Sequence, residues 1–393
     1  MEIKGISRFS FPTNIVFGPG AIKELPGIFK ELHIERPFVV TDPGFSKTDS
    51  FKSILAVLDG EGITYSIYTD VNPNPHDSDV EKGAKEYEKD GCNGIVAVGG
   101  GSPMDAAKAI AVLAGQGGVV ADYDAQKSDG TPITSPLPPI VTVPTTSGTG
   151  SEVGKCSVIT STKLGRKIFM CSPHMLAKQA VLDPELVVTL PAHLTAFTGM
   201  DAITHNIESL TAPIFHPMCD AIAVKGIEIG IEYLEKAVKN PTDIQARGYM
   251  MICAMMGAVA FQKDLGTAHS MSHALSAVCG LQHGLANAIC LPVVMNYNKE
   301  VSKKEYALVA RAFGVDIFGM DELKAAERAI KEISALNKRI GIPGALKDAG
   351  VKKEQLAEVA DKAYLDPCHL TNSRSSTRDD LYNLLLEAYE GEF

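Results

Sequence analysis

The chain has no basic run. Its lysines and arginines are scattered, and the formal net charge is −10 at pH 7. That argues against nucleic acid or an anionic membrane as the main partner. An apolar run of the roughly 20 residues needed to cross a bilayer is also missing. The most apolar window, "MMICAMMGAVAF" from Met250 to Phe261, is shorter and reads as a buried helix. The N-terminal "MEIKGISRFSFPTNIVFGPG" lacks the long apolar core of a signal peptide. The eight cysteines form no CxxC pair and no tight framework, so they read as reduced thiols in a cytoplasmic protein. No internal repeat or low-complexity tract breaks the chain, and no long segment lacks core-forming residues.

What is present fits a soluble globular protein: 45% apolar and 21% charged residues. At 393 residues the chain exceeds what one core usually serves, which favours two domains. Short β-branched runs alternate with helical patterns in the first half. "RPFVVTD" (36–42), "TYSIYTDV" (64–71), "GIVAVGGG" (94–101) and "PPIVTVPTT" (138–146) read as strands. "FSKTDSFKSILAVLDG", "HDSDVEKGAKEYEKDG" and "SPMDAAKAIAVLA" read as the helices between them. Such alternation predicts a largely parallel sheet with helices on both faces. Past about Leu190 the β-branched runs thin out. "DAIAVKGIEIGIEYLEKAV", "KAAERAIKEISALNKRIG" and the final "RDDLYNLLLEAYEGEF" carry helical spacing. The expectation is an α/β domain over 1–187 and an all-helical domain over 188–393.

Two loops in the first half have the chemistry of a diphosphate site. "VAVGGGSPMDAAK" sets three glycines, ending at Gly100 and Gly101, between a buried strand and a helix that starts near Ser102 and Asp105. Glycine lets the backbone approach a phosphate, and a helix N-terminus offers free N–H groups. The loop is neither GxGxxG nor a Walker A motif, and a tight strand–helix turn would also need glycines. "VPTTSGTGSE" supplies hydroxyls at Thr145, Thr146, Ser147 and Thr149, or is simply a polar turn. Together they favour a nucleotide across the strand ends. Asp42 ends another strand. It suits a ribose 2′-OH and so NAD rather than NADP, unless it is a cap or turn residue.

The second half concentrates histidine. "TGMDAITHNIESL" holds Asp201 and His205 four apart, and "AHSMSHALSAVCGLQHG" holds His269, His273 and His283. Residues at i and i+4 share a helix face. An aspartate with neutral imidazoles forms a mixed N/O set suited to Fe2+, Zn2+, Co2+ or Mn2+. Spacing alone does not decide which four of the five side chains bind. His33, His76, His174, His193, His216 and His369 read as surface or capping residues.

With these motifs in place the sequence resembles the iron-containing (group III) alcohol dehydrogenases. "GGGSPMDAAK", "PTTSGTGSEV", "GMDAITHNIES" and "HSMSHALSAVCGLQHGLANAICLP" occur in that family's order, and the similarity spans nearly the whole chain. The resemblance implies an N-terminal dinucleotide-binding α/β domain and a helical, metal-binding C-terminal domain of dehydroquinate synthase-like type, with the site in the cleft between. It implies Asp201, His205, His269 and His283 as ligands of Fe2+, with Zn2+ or another divalent ion as substitute. It puts His273 beside the nicotinamide as a catalytic, proton-handling residue. It puts NAD on Asp42, Asn74, Gly100, Gly101, Ser102, Asp105, Thr145, Thr146, Thr149 and Lys167, and makes Phe261 and Cys368 pocket walls. The chain departs from common members at Ala274, where proline is frequent, in the short "FQKDLG", and at Ser373 in "DPCHLTNSR".

The implied reaction is reversible hydride transfer between a primary alcohol and NAD, with a metal Lewis acid at the substrate oxygen. The implied partners are a small alcohol or aldehyde and further copies of the chain, as a homodimer or larger assembly. Glycerol dehydrogenase and dehydroquinate synthase keep the fold and change the reaction. A synthase needs several basic residues around a phosphorylated substrate, and few Lys or Arg flank the candidate ligands here. A non-catalytic nucleotide-binding subunit, such as a filament component, would have no need of an open metal position.

Overall fold

A computed structural model of the chain describes residues 11, 13–134 and 136–391. Most of the N-terminal segment considered for a leader, and the last two residues of the final helix segment, lie outside them. The described chain forms two units. One comprises Phe11–Thr146 and Gly150–Thr189; the other comprises 147–149 and 190–391.

The first unit is the parallel-sheet α/β domain. Its strands are β1 (Asn14–Phe17), β2 (Pro37–Val40), β3 (Ser66–Tyr68), β4 (Gly94–Gly99), β5 (Ile140–Pro144), β6 (Cys156–Ser161), β7 (Arg166–Cys171) and β8 (Gln179–Leu182). Six of them form one parallel sheet in the order β1-β8-β5-β4-β2-β3. Side chains alternate across this sheet. Phe38, Val40, Ile95 and Ala97 pack on one face with α3 (Asp77–Lys89) and α4 (Gly101–Gln116). Val39, Val96 and Val98 pack on the other with α1 (Leu25–Glu31) and α2 (Asp49–Gly60). Both faces are covered, so β2, β4 and β5 are buried along their whole length.

The pair β6–β7 is antiparallel and stands apart from the main sheet. The sequence pattern predicts neither this hairpin nor a disulfide among the eight cysteines, and the structure corrects both: Cys156 and Cys171 face each other across the hairpin and are bonded as a disulfide. The other six cysteines are free. The residues that form this bond are 15 apart in sequence, so no short spacing advertised it.

The second unit is helical among its described residues: α5 (Ala192–Thr211), α6 (Pro217–Lys239), α7 (Ile244–Ala260), α8 (Thr267–Cys279), α9 (His283–Asn298), α10 (Lys303–Ala312), α11 (Glu322–Arg339), α12 (Leu356–Leu365) and α13 (Arg378–Glu390). Helix α5 is the centre, with an unbroken buried run from Gly199 to Leu210. It is seated by glycines on its neighbours. A Cβ on Gly226 of α6 would stand 2.1 Å from Asn206, and one on Gly257 of α7 would stand 2.9 Å from His205 Cβ. Helix α7 is the buried helix expected of the most apolar window, and it extends beyond that window. The helical span Ile244–Lys263 is long and apolar enough to cross a membrane by length and composition. Its Met250, Met251, Cys253 and Ala254 are core residues, however, and the buried Arg247 donates to Thr195 Oγ1 and to the carbonyl of Leu190. His369, expected at the surface or in a cap, is buried and hydrogen-bonds through Nε2 to the Tyr364 carbonyl.

Candidate metal centre and nucleotide loops

Three helices bring the candidate ligands of the helical unit together. Helix α5 carries Asp201, His205 and Glu208 at i, i+4 and i+7, one face of the helix. Helix α8 carries His269 and His273 one turn apart, and His283 is the first residue of α9, capped by Gln282. The close approach of α9 to α5 depends on Gly284. A Cβ there would lie 2.2 Å from the carbonyl oxygen of Phe197.

Asp201 Oδ1 is the hub. It lies 3.9 Å from His205 Nε2, 3.7 Å from His269 Nε2 and 3.3 Å from His283 Nε2. Donor atoms bound tetrahedrally at about 2.1 Å from one ion stand roughly 3.4 Å apart, close to these distances from Asp201 Oδ1. Asp201, His205 and His269 have donor atoms that all lie within 4.8 Å of one another. His205 stacks on His269 with ring centroids 4.6 Å apart, and His273 stacks on His283 at 5.2 Å. Phe261 packs on the ring of His205 at 5.4 Å.

The outer nitrogens decide which way the imidazoles face. His269 Nδ1 is 2.6 Å from Glu208 Oε2. That carboxylate also accepts from Gly266 N (3.1 Å) and Ala268 N (2.7 Å) at the start of α8. A carboxylate only accepts, so His269 Nδ1 carries a proton, and Nε2 is the nitrogen a cation would compete for. Ser272 Oγ lies 2.8 Å from His283 Nδ1 and donates its one proton to the His283 carbonyl, also at 2.8 Å. It must therefore accept from Nδ1, which leaves His283 Nε2 bare. Two imidazole nitrogens and a carboxylate oxygen thus face one another, with the Asn287 amide among them. This donor set fits a divalent cation. The side-chain amide of Asn287, one turn after His283, also points in. Its Nδ2 is 2.8 Å from Asp201 Oδ1 and 3.2 Å from Nε2 of both His269 and His283.

The electrostatics favour the neutral form at two of the three histidines. Burial alone would raise the Asp201 carboxyl, but the histidines around it hold it well below the usual range. Burial pushes His205 down to about 3 and lowers His283 too, so both stay neutral and ligand-ready at neutral pH. His269 differs. Burial lowers it, but Asp201 and Glu208 outweigh burial and take it up to about 9. His283 is 30% exposed, against 6% for His205, 3% for Asp201 and 1% for His269, so the cluster opens on the His283 side.

Cys368 is half-buried near Asp366, whose Oδ2 is 2.8 Å from His273 Nδ1. Of the residues expected from the sequence, Asp201, His205, His269, His283, His273, Phe261 and Cys368 all lie in this one unit. Glu208, Ser272, Asn287 and Asp366 were missed. Glu208 and Asn287 carried a faint signal, being on the helical faces of Asp201 and His283. Ser272 and Asp366 carried none.

The α/β unit holds the other set. Gly99 and Pro144 are register partners on β4 and β5, so the two polar loops leave the sheet side by side. A Cβ on Gly100 would stand 3.3 Å from Thr146 Oγ1, the close approach that glycine permits. Asn74 is exposed, and Ser102 Oγ donates to the carbonyl of Pro73 at 2.5 Å. Asp42 follows β2, with Oδ1 taken by the N–H groups of Gly44 and Phe45 in a local turn. Asp105 points inward: it accepts from Ser151 Oγ and Val158 N, beneath the loop. Lys167 sits on β7. Thr149 belongs to the helical unit, where Gly148 packs on Thr198.

Comparison with known proteins bears directly on this arrangement. The family described as "Iron-containing alcohol dehydrogenase" matches residues 12–184, and "Fe-containing alcohol dehydrogenase family, C-terminal" matches 195–389. The chain belongs to the iron-containing alcohol dehydrogenase family. It is 38% identical to a 4-hydroxybutyrate dehydrogenase of Cupriavidus necator, covering 95% of this chain and 97% of that one. It is 35% identical to an NAD-dependent methanol dehydrogenase of Bacillus methanolicus, covering 98% and 100%. Among solved structures, a 1,3-propanediol oxidoreductase superposes with a TM-score of 0.93 at 35% identity, covering 98% of this chain and 100% of that one. The chain is therefore an oxidoreductase of the alcohol–aldehyde class, with the family's parallel-sheet and helical domains. The synthase and scaffold readings find no support in these matches.

Proposed function

We propose that the chain interconverts a primary alcohol and its aldehyde with NAD(H), at a divalent ion held by Asp201, His205, His269 and His283. The observation that carries this is three imidazole nitrogens within 3.9 Å of Asp201 Oδ1, with the outer nitrogens of His269 and His283 engaged by Glu208 and Ser272. We take the ion as Fe2+, with Zn2+ the substitute the same donor set accepts. When bound, it supplies a Lewis acid for the substrate oxygen. NAD supplies the hydride acceptor in the direction of oxidation.

The chain's own residues do the rest. Glu208 and Ser272 orient two ligand rings. Phe261 shields His205 from water. His273 takes the substrate proton and passes it to solvent, which its 23% exposure permits. Cys368 forms a pocket wall with Phe261. The nucleotide rests on Gly100, Gly101, Ser102, Asn74, Thr145, Thr146, Thr149 and Lys167. Asp42 meets the ribose through Oδ2, and Asp105 supports the loop from behind. We further take the domain division at 187/188, two residues ahead of the boundary between the two compact units, the assembly as a homodimer or larger, and the location, despite the Cys156–Cys171 disulfide, as cytoplasmic.

The test is His205→Ala and His283→Ala, each assayed for bound metal and for NADH production on an anaerobic panel of alcohols. Both variants should lose the ion and turnover together. Full activity with unchanged metal content in either would end the assignment.

A further inference from the structure

Helix α8 presents two histidines one turn apart, and each is met at Nδ1 by a different carboxylate. Glu208 meets His269. Asp366, at the end of α12, meets His273 at 2.8 Å. Nothing in the spacing of the sequence pairs residues 273 and 366.

Asp366 is also an N-cap. Its Oδ1 accepts from the main-chain N–H of Cys368 (2.9 Å), opening the short helix Pro367–Thr371, and from Ser270 Oγ (3.0 Å). Capping needs one oxygen. The other, Oδ2, is left for His273. The ring of His273 is therefore pinned by a hydrogen bond on one edge and by stacking on His283 across its face, with the planes only 14° apart.

We propose that Asp366 is a positioning residue that fixes His273 as the Nδ1–H tautomer, so that its bare Nε2 is the nitrogen that receives the substrate proton. This rests on the reading above that His273 handles that proton. The reasoning is one of donors and acceptors. An ionised carboxylate cannot donate, so the proton between the pair resides on Nδ1. A neutral imidazole with Nδ1–H has only Nε2 free to accept. The wrong tautomer would turn an N–H towards the proton to be taken, as in other carboxylate–histidine pairs.

Asp366→Asn separates this from capping alone. Asparagine caps helices about as well as aspartate, so a mere cap tolerates the change. The main-chain N–H of Cys368 cannot rotate and keeps the amide oxygen on its side. The amide NH2 then faces His273, which must accept at Nδ1 and carry its proton on Nε2. The tautomer inverts with little change of shape.

The experiment uses the full-length zinc-loaded enzyme with 15N-labelled histidine rings. The His273 signals are assigned by their loss in His273→Gln. Wild-type protein should show Nδ1–H at His273, and D366N should show Nε2–H. Metal content should stay the same, and kcat should fall by about 10²–10⁴-fold with KM nearly unchanged. Asp366→Ser, which caps but is too short to reach His273, should give a mixture of tautomers. An Nε2–H signal in the wild type, or an unaltered tautomer in D366N, overturns the proposal. Inversion with kcat unchanged upholds the positioning and overturns the proton-handling role of His273. No NADH formation by wild-type protein would instead remove the functional reading and leave the tautomer result intact.

Discussion

Glu208 and His269 form a carboxylate–imidazole pair, 2.6 Å from Oε2 to Nδ1, in the interior of the helical unit. The pair transmits the position of α5 to a ring on α8. Glu208→Gln breaks it without changing shape. Each carboxylate oxygen faces a fixed main-chain donor, Ala268 N on Oε1 and Gly266 N on Oε2, so an amide NH2 fits neither side. Metal affinity should drop about 10–100-fold. Chelator competition followed by elemental analysis measures it, and wild-type affinity in this variant would falsify the role.

Metal affinity should also depend on pH. His269 titrates at about 9, so below that a proton competes with the ion for Nε2. Apparent affinity should rise roughly tenfold per pH unit from pH 7 towards 9 and then level off. Stability of the metal-free protein moves the other way. The raised His269 pKa contributes stability that is full below its unfolded value near 6.5 and is lost as pH climbs through 9. The depressed His205 pKa works on the acid side: as pH falls below about 6.5 the unfolded chain takes up a proton that folded His205 refuses down to about 3. Stability of the metal-free form should thus peak near pH 6.5, as urea melts across pH 4–10 would reveal. A flat metal affinity between pH 7 and 9 contradicts the assignment.

Gly284→Ala should damage the centre through packing alone. The added methyl meets the Phe197 carbonyl at 2.2 Å, and α9 must retreat from α5. Overpacking of this kind costs about 1–3 kcal/mol, and here it also separates His283 from Asp201. Gly280→Ala is the control. Gly280 has φ +67 but open space around its Cβ position, so alanine strains the backbone without moving a helix. Both variants should melt earlier, and only G284A should bind metal more weakly. Equal metal affinity in the two would refute the link.

The disulfide makes a countable prediction. Unfolded without reductant, the chain should expose six alkylatable thiols rather than eight. Closing a loop of this length contributes about 3 kcal/mol in the chain-entropy account. Cys171→Ser should therefore lower the denaturant midpoint in oxidising buffer and change nothing under strong reductant. Mass spectrometry showing eight modified cysteines rules the bond out.

Much of this was legible from residue order, and the pattern of failure is physical. β4 and β5 are buried on both faces, so their apolar runs stand out. β1 sits at the sheet edge with Ile15 and Phe17 exposed, and its pattern is too weak to read. The ligand pairs on α5 and α8 were readable because i, i+4 is a local relation. The pairing of His269 with Glu208 spans 61 positions and that of His273 with Asp366 spans 93. Both depend on how helices dock, and no local period records that. Spacing also left His269 and His273 looking equivalent. The approach of His269 Nε2 to Asp201 Oδ1, 3.7 Å, distinguishes it from His273.

Helix α5 carries Asp201, His205 and Glu208 along about 10 Å of a single edge. Two of these are candidate donors, and the third anchors another donor on α8. A slide or roll of α5 therefore disturbs three corners of the centre at once, and repair is equally collective. Spontaneous suppressors of a weakened site should map to the seats of this helix, around Gly226, Gly230 and Gly257, where one methyl group more or less resets its register. For this centre, genetic rescue should come from the scaffold more readily than from the ligands.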